Sequence, residues 1–335
     1  MRFAPPRCPN QACSGHTSPP FRYTRWGTFR RACDGRNVPR FRCLECGRTF
    51  STQTFRLDWR LQRPRLHLDL WPLLISKVTH RQAARMLGCT RKSIAHRLDL
   101  LGEHCRQFHS RQLARLGRTR GLAGRYQLDE LETFEHNRRL QPLTVPVLIH
   151  RSSYFVVDLA VAPLPCRGSL SELNRSKKAA REVLYGKRRS GSRRAVEDCL
   201  EKLTVLGRPG RKVTLETDRK HQYVRSIERV LGAGTPHRRT SSKDRRDYGN
   251  ALFPINHTLA MMRDGVSRLV RRTWAASKQM MRLGRHLWVW VCWRNYVRGV
   301  TNRARKTTPA MIVGAAGKPL HKDELLGLRR VGWRD

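Results

Sequence analysis

The chain has few acids. Among its 335 residues, 25 Asp and Glu stand against 69 Lys and Arg, which leaves a formal net charge of +44. This imbalance argues against the metabolism of acidic small molecules and for a polyanionic partner, and nucleic acid is the most abundant polyanion in a cell. Long apolar runs are lacking as well. The most apolar short stretch, Leu287 to Trp293, falls far below the roughly 18 residues of a membrane span. The N-terminal MRFAPPRCPNQ has no apolar signal core. The expectation is a soluble, cytoplasmic and nucleoid-associated protein with no membrane partner. Hydrophobic residues are not scarce: they make up 39% of the chain, with eight Trp and ten Phe spread along it, so disorder does not account for the charge. The length suits two or three domains, and no internal repeat is visible. Ten Cys in such a chain are tested first as metal ligands, not as a disulfide framework.

Five of those Cys fall in the first 46 residues. Cys8 and Cys13 form one pair and Cys43 and Cys46 a second, about 30 residues on, a spacing that lets two knuckles close on one tetrahedral Zn²⁺. The RFRCLECGRTFST stretch alternates as a strand does, and Gly47 follows the second thiol where a knuckle needs a permissive backbone. Cys33, beside Asp34, Gly35 and Arg36, reads as part of a loop between hairpin arms and is left out of the ligand set. A module this small buries little core, so structural zinc, worth on the order of 10 kcal/mol, would fold it.

From about Arg65 to Phe108 the pattern is helical. THRQAARMLGCTRKSIAHRLDLL places Ala83, Ala84 and Leu87 before a Gly88 turn and Ile94, Leu98 and Leu101 on the next helix, with Thr90 as N-cap. In this helix-turn-helix the second helix presents Arg91, Lys92, Ser93 and His96 outward, side chains able to reach phosphates or base edges. The plainer alternative is a packed helical hairpin with a solvated basic face. SRQLARLGRTRGLAGR then reads as a basic linker.

Beyond it come strand-like runs, YQLDELETF, TVPVLIH and YFVVDLAVAPL, the last two separated by Arg151, Ser152 and Ser153. AVEDCLEKLTVL reads as an amphipathic helix, RKVTLETD as a strand ending at Asp218, and RKHQYVRSIERVL as a helix. Helices around INHTLAMMRDGVSRLVRRTWAASK and GRHLWVWVCWRNYVRGV close an α/β domain of about 200 residues. Asp129 sits inside one strand-like run, next to Glu130, and Asp218 ends another. Carboxylates that converge from strands are what a hard divalent cation needs, and two such cations serve phosphodiester transfer. The alternative is that these acids pair with some of the abundant basic residues. The WVWVCWRNYV stripe, with Trp288, Val291 and Tyr296 near helical spacing, fits a core or a dimer surface better than a base-stacking platform. The Lys177–Arg194 tract could track a DNA backbone or be a solvated loop.

Taken in order, RFRCLECGRTF, QAARMLGCTRKSIAHRL, LDELETF, TDRKHQY, PINHTLAMMRDGVSRL and KTTPAM resemble the transposases of the insertion-sequence-one type. In that family a zinc ribbon and helix-turn-helix are joined to an RNase H-like catalytic domain with a DDE set of acids. The resemblance implies a mixed-sheet α/β catalytic domain at 125–315, preceded by a ribbon at 1–55, a helix-turn-helix domain at 60–110 and a basic linker at 111–124, and followed by a tail at 316–335. It implies a Mg²⁺- or Mn²⁺-dependent enzyme that binds an element's terminal repeats in double-stranded DNA and cuts and joins strands, with water or a 3′-hydroxyl attacking phosphorus and no covalent protein intermediate. A homo-oligomer on DNA is implied with it. Asp129 matches the first catalytic acid and Asp218 the second, with Tyr223 in the aromatic position five residues on and His237 in the place of an intervening His. At the third acid the chain departs: Asn256 stands where the family has Glu at the head of a helix, with His257 beside it. Asp244, Asp247 and Asp264 lie nearby but out of position. Asn256 therefore keeps a second reading open, a non-catalytic DNA-binding protein derived from an inactivated transposase.

Overall fold

Aromatic and β-branched residues are frequent over YTRWGTFR and NVPRFRC, and these segments pair as the antiparallel strands β1 (Tyr23–Arg30) and β2 (Asn37–Cys43), after a short α1 (Ser14–Thr17). β3 (Thr49–Ser51) adds to β2. Ser51 then caps a 3₁₀ turn, Thr52–Phe55, by accepting from Gln53 N. In the computed structural model the described residues are 3–17, 20–207, 212–241, 243–245, 247–270 and 275–328. They fall into two compact units, one from the chain's start to Asp69 together with the end from Lys322, the other Leu70–His321. The first unit has a core of its own. Phe41, Phe50 and Phe55 are buried with Cys8, Cys13 and Cys43, and Phe3, Phe21 and Tyr23 pack against them. Ring centroids in this set lie 5.5–6.0 Å apart, in the range where edge and offset contacts add to burial.

α2 (Leu66–Leu74), with Pro72 inside it, carries the chain from one unit to the other. α3 (His80–Met86) starts on a capping box between Thr79 and Gln82, and α4 (Arg91–Thr119) starts on Thr90, whose hydroxyl accepts from Ser93 N at 3.1 Å. Gly88, at φ +55°, makes the turn between them, and Ala83, Ala84, Ile94, Leu98 and Leu101 are buried. The two helices and turn are those the sequence suggests. Their setting is not, because they belong to the same unit as the α/β sheet and form no domain of their own at 60–110.

The basic linker expected at 111–124 is also corrected. Residues 111–119 are the last turns of α4, a helix of 29 residues with Leu113 and Leu116 buried. Gly117, which reads as a breaker, is a packing glycine: a Cβ there would come within 2.9 Å of a Leu206 methyl. Only Gly121 and Gly124, at φ +68° and +96°, use glycine's conformational freedom, and they turn the chain into the next strand.

β4 (Gly124–Phe134), β5 (Pro142–His150) and β6 (Phe155–Leu159) form an antiparallel meander, and the two-residue β7 (Ala162–Pro163) pairs with β5. Two helices follow, α5 (Glu172–Tyr185) and α6 (Ser192–Leu206). The Lys177–Arg194 tract is thus the end of one, a connection, and the start of the other. β8 (Val213–Asp218) joins β4 in parallel, α7 (His221–Leu231) crosses over, and β9 (His237–Thr240) joins β8 in parallel. The sheet order β6-β5-β4-β8-β9 is the mixed, RNase H-like arrangement expected. α8 (Phe253–Gly265) and α9 (Met280–Cys292) complete the covering layer, α9 running on into a π turn, Trp293–Val297. Trp288, Val291 and Tyr296 are buried, so the aromatic stripe is core. Two short helices, α10 (Pro309–Ile312) and α11 (Lys322–Gly327), end the described chain. Thr308 and Pro309 of the KTTPAM segment are the N-cap and first residue of α10.

α4 and α9 meet at Gly102. A Cβ added there would sit 2.5 Å from the Arg285 carbonyl oxygen and 2.6 Å from its Cα, and backbone cannot yield as a flexible side chain can. Glu103 and Arg285 pair across the same contact, as do Asp99 and Arg282 at 3.1 Å. Gly102→Ala is therefore expected to destabilise the protein despite Ala's better helix propensity, by about 2 kcal/mol or more. A melting temperature lower by about 5 °C would show it.

Two buried histidines link this unit to pH. His109 bridges the Tyr296 hydroxyl (3.0 Å) and the Val157 carbonyl (2.9 Å), and His286 lies 2.7 Å from the Leu74 carbonyl. Burial lowers the first to about 4 and, with the nearby Arg268 charge, the second to about 3. Both stay neutral in the fold, whereas the unfolded chain takes up protons below about pH 6.5. Stability is then complete above that pH and falls as pH drops toward 4, by up to about 1.4 kcal/mol per pH unit for each His. Denaturant melts at pH 7 and pH 5 should differ accordingly, and His109→Gln should reduce the difference.

Candidate active cleft and cysteine cluster

The parallel register of β4 and β8 sets Gln127 opposite Glu216. Side chains two residues apart share a strand face, so the next positions on that face are Asp129 and Asp218, on strands about 4.8 Å apart. Both acids line a single cleft of about 760 Å³, together with Glu130, Lys220, Tyr223, Asn256, His257 and Arg263. Each carboxylate also accepts a nearby backbone N–H: Asp129 Oδ1 that of Glu130 at 2.7 Å, within β4, and Asp218 Oδ1 that of Lys220 at 2.9 Å, where the chain leaves β8.

Asn256 reaches the cleft from the first turn of α8, and Gln127 puts it there. The Gln127 side chain donates to Glu216 Oε2 (2.8 Å) and to the Ala251 carbonyl (2.7 Å), while its Oε1 accepts from Ile255 N at 3.0 Å. Ile255 N is one of the donors that a helix start leaves without an intrahelical partner. Gln127 thereby fastens the head of α8 to β4 two residues from Asp129. Sequence reading passed over it, and its place two residues before a candidate acid on the same strand face was the one available signal.

Glu130 is the other group whose weight the sequence did not reveal. Its side chain is 7% exposed, and its oxygens accept from Thr144 (2.8 Å), Ser192 (2.6 Å), Tyr223 (3.1 Å) and the Lys220 ammonium. With every oxygen engaged it joins β4 to β5, α6 and α7, and holds Lys220 in the cleft. Tyr223 is buried, and its hydroxyl is pushed far above the usual phenol range, first by burial and then by the negative charges of Glu130, Asp129 and Asp218. A field of that sign draws cations. His257 lies between the rings of Tyr154 and Phe253, and burial with the Arg294 and Arg298 charges lowers its affinity for a proton. His237 does not line the cleft: it contacts Thr217 at 2.8 Å and supports the strand end. Nor do Asp244, Asp247 and Asp264, the last an exposed side chain 3.7 Å from Lys77.

In the first unit, Cys8, Cys13, Cys43 and Cys46 bring their sulfurs within 4.8 Å of one another, the one such group of metal-ligating side chains among the described residues. Cys8 and Cys46 Sγ are 3.6 Å apart, Cys13 and Cys43 Sγ 3.7 Å. A tetrahedron with metal–sulfur bonds of about 2.3 Å has edges of about 3.8 Å, so the four thiols stand where Zn²⁺ would need them. Burial pushes the Cys8 and Cys13 thiols up, whereas the Arg48 N–H lowers Cys46 to about 7. Gly47 has φ +70°, and Cys33 is exposed in the β1–β2 loop, outside the cluster.

Of the residues expected to face DNA, Arg91, Lys92 and His96 are exposed at the start of α4. Ser93 is half-buried and tied to the Thr90 cap by its own hydroxyl at 3.0 Å. No described helix is long and apolar enough to cross a membrane.

No family model matches the chain, and neither does any curated protein. Among solved structures it is similar to the Mos1 transposase catalytic domain with raltegravir and Mg, at 13% identity over 58% of this chain and 92% of that one, with a TM-score of 0.22. The catalytic domain of Mos1 mariner transposase gives 12%, 58%, 91% and 0.23, and the Mos1 strand transfer complex 12%, 64%, 72% and 0.21. At such values no residue role passes from those proteins to this chain.

Proposed function

We propose that this chain is an enzyme of metal-dependent phosphodiester transfer on DNA. More particularly, we read it as a transposase of the insertion-sequence-one type. The observation that carries the reading is the convergence of Asp129, Asp218 and Asn256, from three separate elements, in one cleft. The +44 charge and the ordered motifs support it. Two carboxylates and an amide oxygen are hard donors of the kind Mg²⁺ and Mn²⁺ accept, and the residues fit such an ion. When bound, a divalent ion would supply Lewis-acid activation at the phosphodiester. The chain's own part is positional. Glu130 and Gln127 fix the strand and helix that carry the donors, and Lys220 and Arg263 bring positive charge to the cleft where a phosphate would enter. The Cys8, Cys13, Cys43 and Cys46 cluster holds structural Zn²⁺. Arg91, Lys92 and His96 read the element's terminal repeats in double-stranded DNA, with Ser93 closing the helix cap beside them, as part of a homo-oligomer assembled on the paired ends.

A second reading, a DNA-binding protein without catalysis, is favoured by the uncharged Asn256. The two are separated with a supercoiled plasmid carrying candidate ends, incubated with the zinc-loaded full chain and Mg²⁺ or Mn²⁺. Metal-dependent nicking or joining is the expected outcome, and Asn256→Glu is expected to raise it about 10-fold, or ~1.4 kcal/mol, by adding a charge to the ligand set. End-specific binding with no cleavage by either protein would install the second reading instead.

A further inference from the structure

A second concave site lies on the outer face of α6 and α7. Arg193, Arg225, Arg229 and Arg239 line a cavity of about 710 Å³ together with His221 and Glu197. Arg194 continues the basic surface in the adjoining depression, where Arg193 and Arg229 recur. The four cavity arginines are exposed. Guanidinium groups gathered in one hollow repel one another, and the carboxylate inside it, Glu197, is 8% exposed and 3.5 Å from both Arg193 and Arg229. Its third neighbour is Ser226, also at 3.5 Å. Glu197 thus orients two of the arginines, and among the described residues no ion pair engages Arg225 or Arg239. The hollow has no Trp, Tyr or Phe in its lining and carries four guanidinium groups, so its chemistry is that of a phosphate track.

Its position relates it to the active cleft. α7 begins with His221, directly after the Asp218–Lys220 turn. Gln222, in the wall of the hollow, donates to Ser192 Oγ at 3.2 Å, and Ser192 donates to Glu130 in the cleft. Arg239 lies on β9, the edge strand of the sheet.

We infer that the α6–α7 hollow is a second DNA contact, in which Arg193, Arg225, Arg229 and Arg239 hold backbone phosphates of a duplex whose neighbouring segment lies in the cleft. The inference rests on the proposed DNA-acting function, and its test can fail independently of that function. Binding of the full zinc-loaded chain to a duplex is measured without Mg²⁺ over 50 to 200 mM salt, for the parent, Arg225→Gln/Arg239→Gln, and a control of equal charge change on the same unit, Arg303→Gln/Lys306→Gln. Each lost phosphate contact removes about 0.9 from the slope of log affinity against log salt. The double variant is therefore expected to lose about 1.8, so that the fourfold rise in salt weakens it about 10-fold less than the parent. The control should keep the parent's slope. A parent slope unchanged in Arg225→Gln/Arg239→Gln, or equally reduced in the control, would overturn the hollow as a DNA site while leaving the function standing. A parent with no salt-dependent duplex binding would overturn both. Equal melting temperatures for the exposed-residue variants confirm that folding is not being measured.

Discussion

Asp218→Asn and Asp129→Asn are each expected to abolish metal-dependent strand cleavage, a loss of about 10³-fold or more, ~4 kcal/mol of transition-state stabilisation. Asparagine is the informative replacement. Asp218 Oδ1 accepts from Lys220 N and Asp129 Oδ1 from Glu130 N, and an amide oxygen can keep both hydrogen bonds while removing the charge. With Asn256 already neutral, either substitution leaves a single formal charge among the three proposed ligands, too little to hold and polarise a divalent ion. Folding should be untouched or slightly favoured, because the cleft gathers Glu130 and Glu132 beside these two acids. Cleavage assays set beside thermal melts check both parts. Undiminished cleavage by the two variants would remove these residues from the proposed site and the transposase reading with them.

Stripping the metal from the cysteine cluster is the second large effect. A strong chelator applied to the zinc-loaded chain is expected to unfold the first unit, where structural zinc contributes on the order of 10 kcal/mol. The second unit, Leu70–His321, has a core of its own and should survive. The readout is one zinc released per chain, four thiols newly reactive toward a disulfide reagent, and a lost low-temperature transition beside an unchanged later one. Burial raises the Cys8 and Cys13 thiols, so binding as thiolate must release protons. Zinc should therefore be held less tightly as pH falls. A chain that melts identically with and without chelator would show that the aromatic cluster alone suffices.

That cluster is where the sequence undersells the first unit. Cys spacing made the four-thiol cluster legible, since two Cys pairs at knuckle spacing declare themselves in one dimension. The six rings around them, from Phe3 to Phe55, do not, because aromatic contacts across a hairpin depend on register. Most strands of the large sheet were legible as runs of strand-forming residues, its mixed arrangement was implied only by the family resemblance, β9 (His237–Thr240) was not foreseen, and Asp129 and Asp218 were visible as acids in strands of a chain short of acids. Gln127 and Glu130 escaped notice for a common reason: each acts through partners far along the chain, at Glu216, Ala251 and Ile255 for one and at Ser192, Lys220 and Tyr223 for the other. The linker was misread because glycine is ambiguous in one dimension. Gly117 lies against Leu206 within a helix, whereas Gly121 and Gly124 turn the chain, and only the fold distinguishes them.

The length of α4 has a metrical consequence. At 1.5 Å per residue, a helix of 29 residues spans about 43 Å, and it lies packed against α9 at Gly102 with no break along its course. The exposed residues at its start therefore stand at a set offset and bearing from the sheet that carries Asp129 and Asp218. A flexible tether would let the point of recognition and the point of reaction drift apart along a duplex. Under the proposed function, a continuous rod would act as a ruler, fixing how many base pairs separate the sequence read from the bond cut.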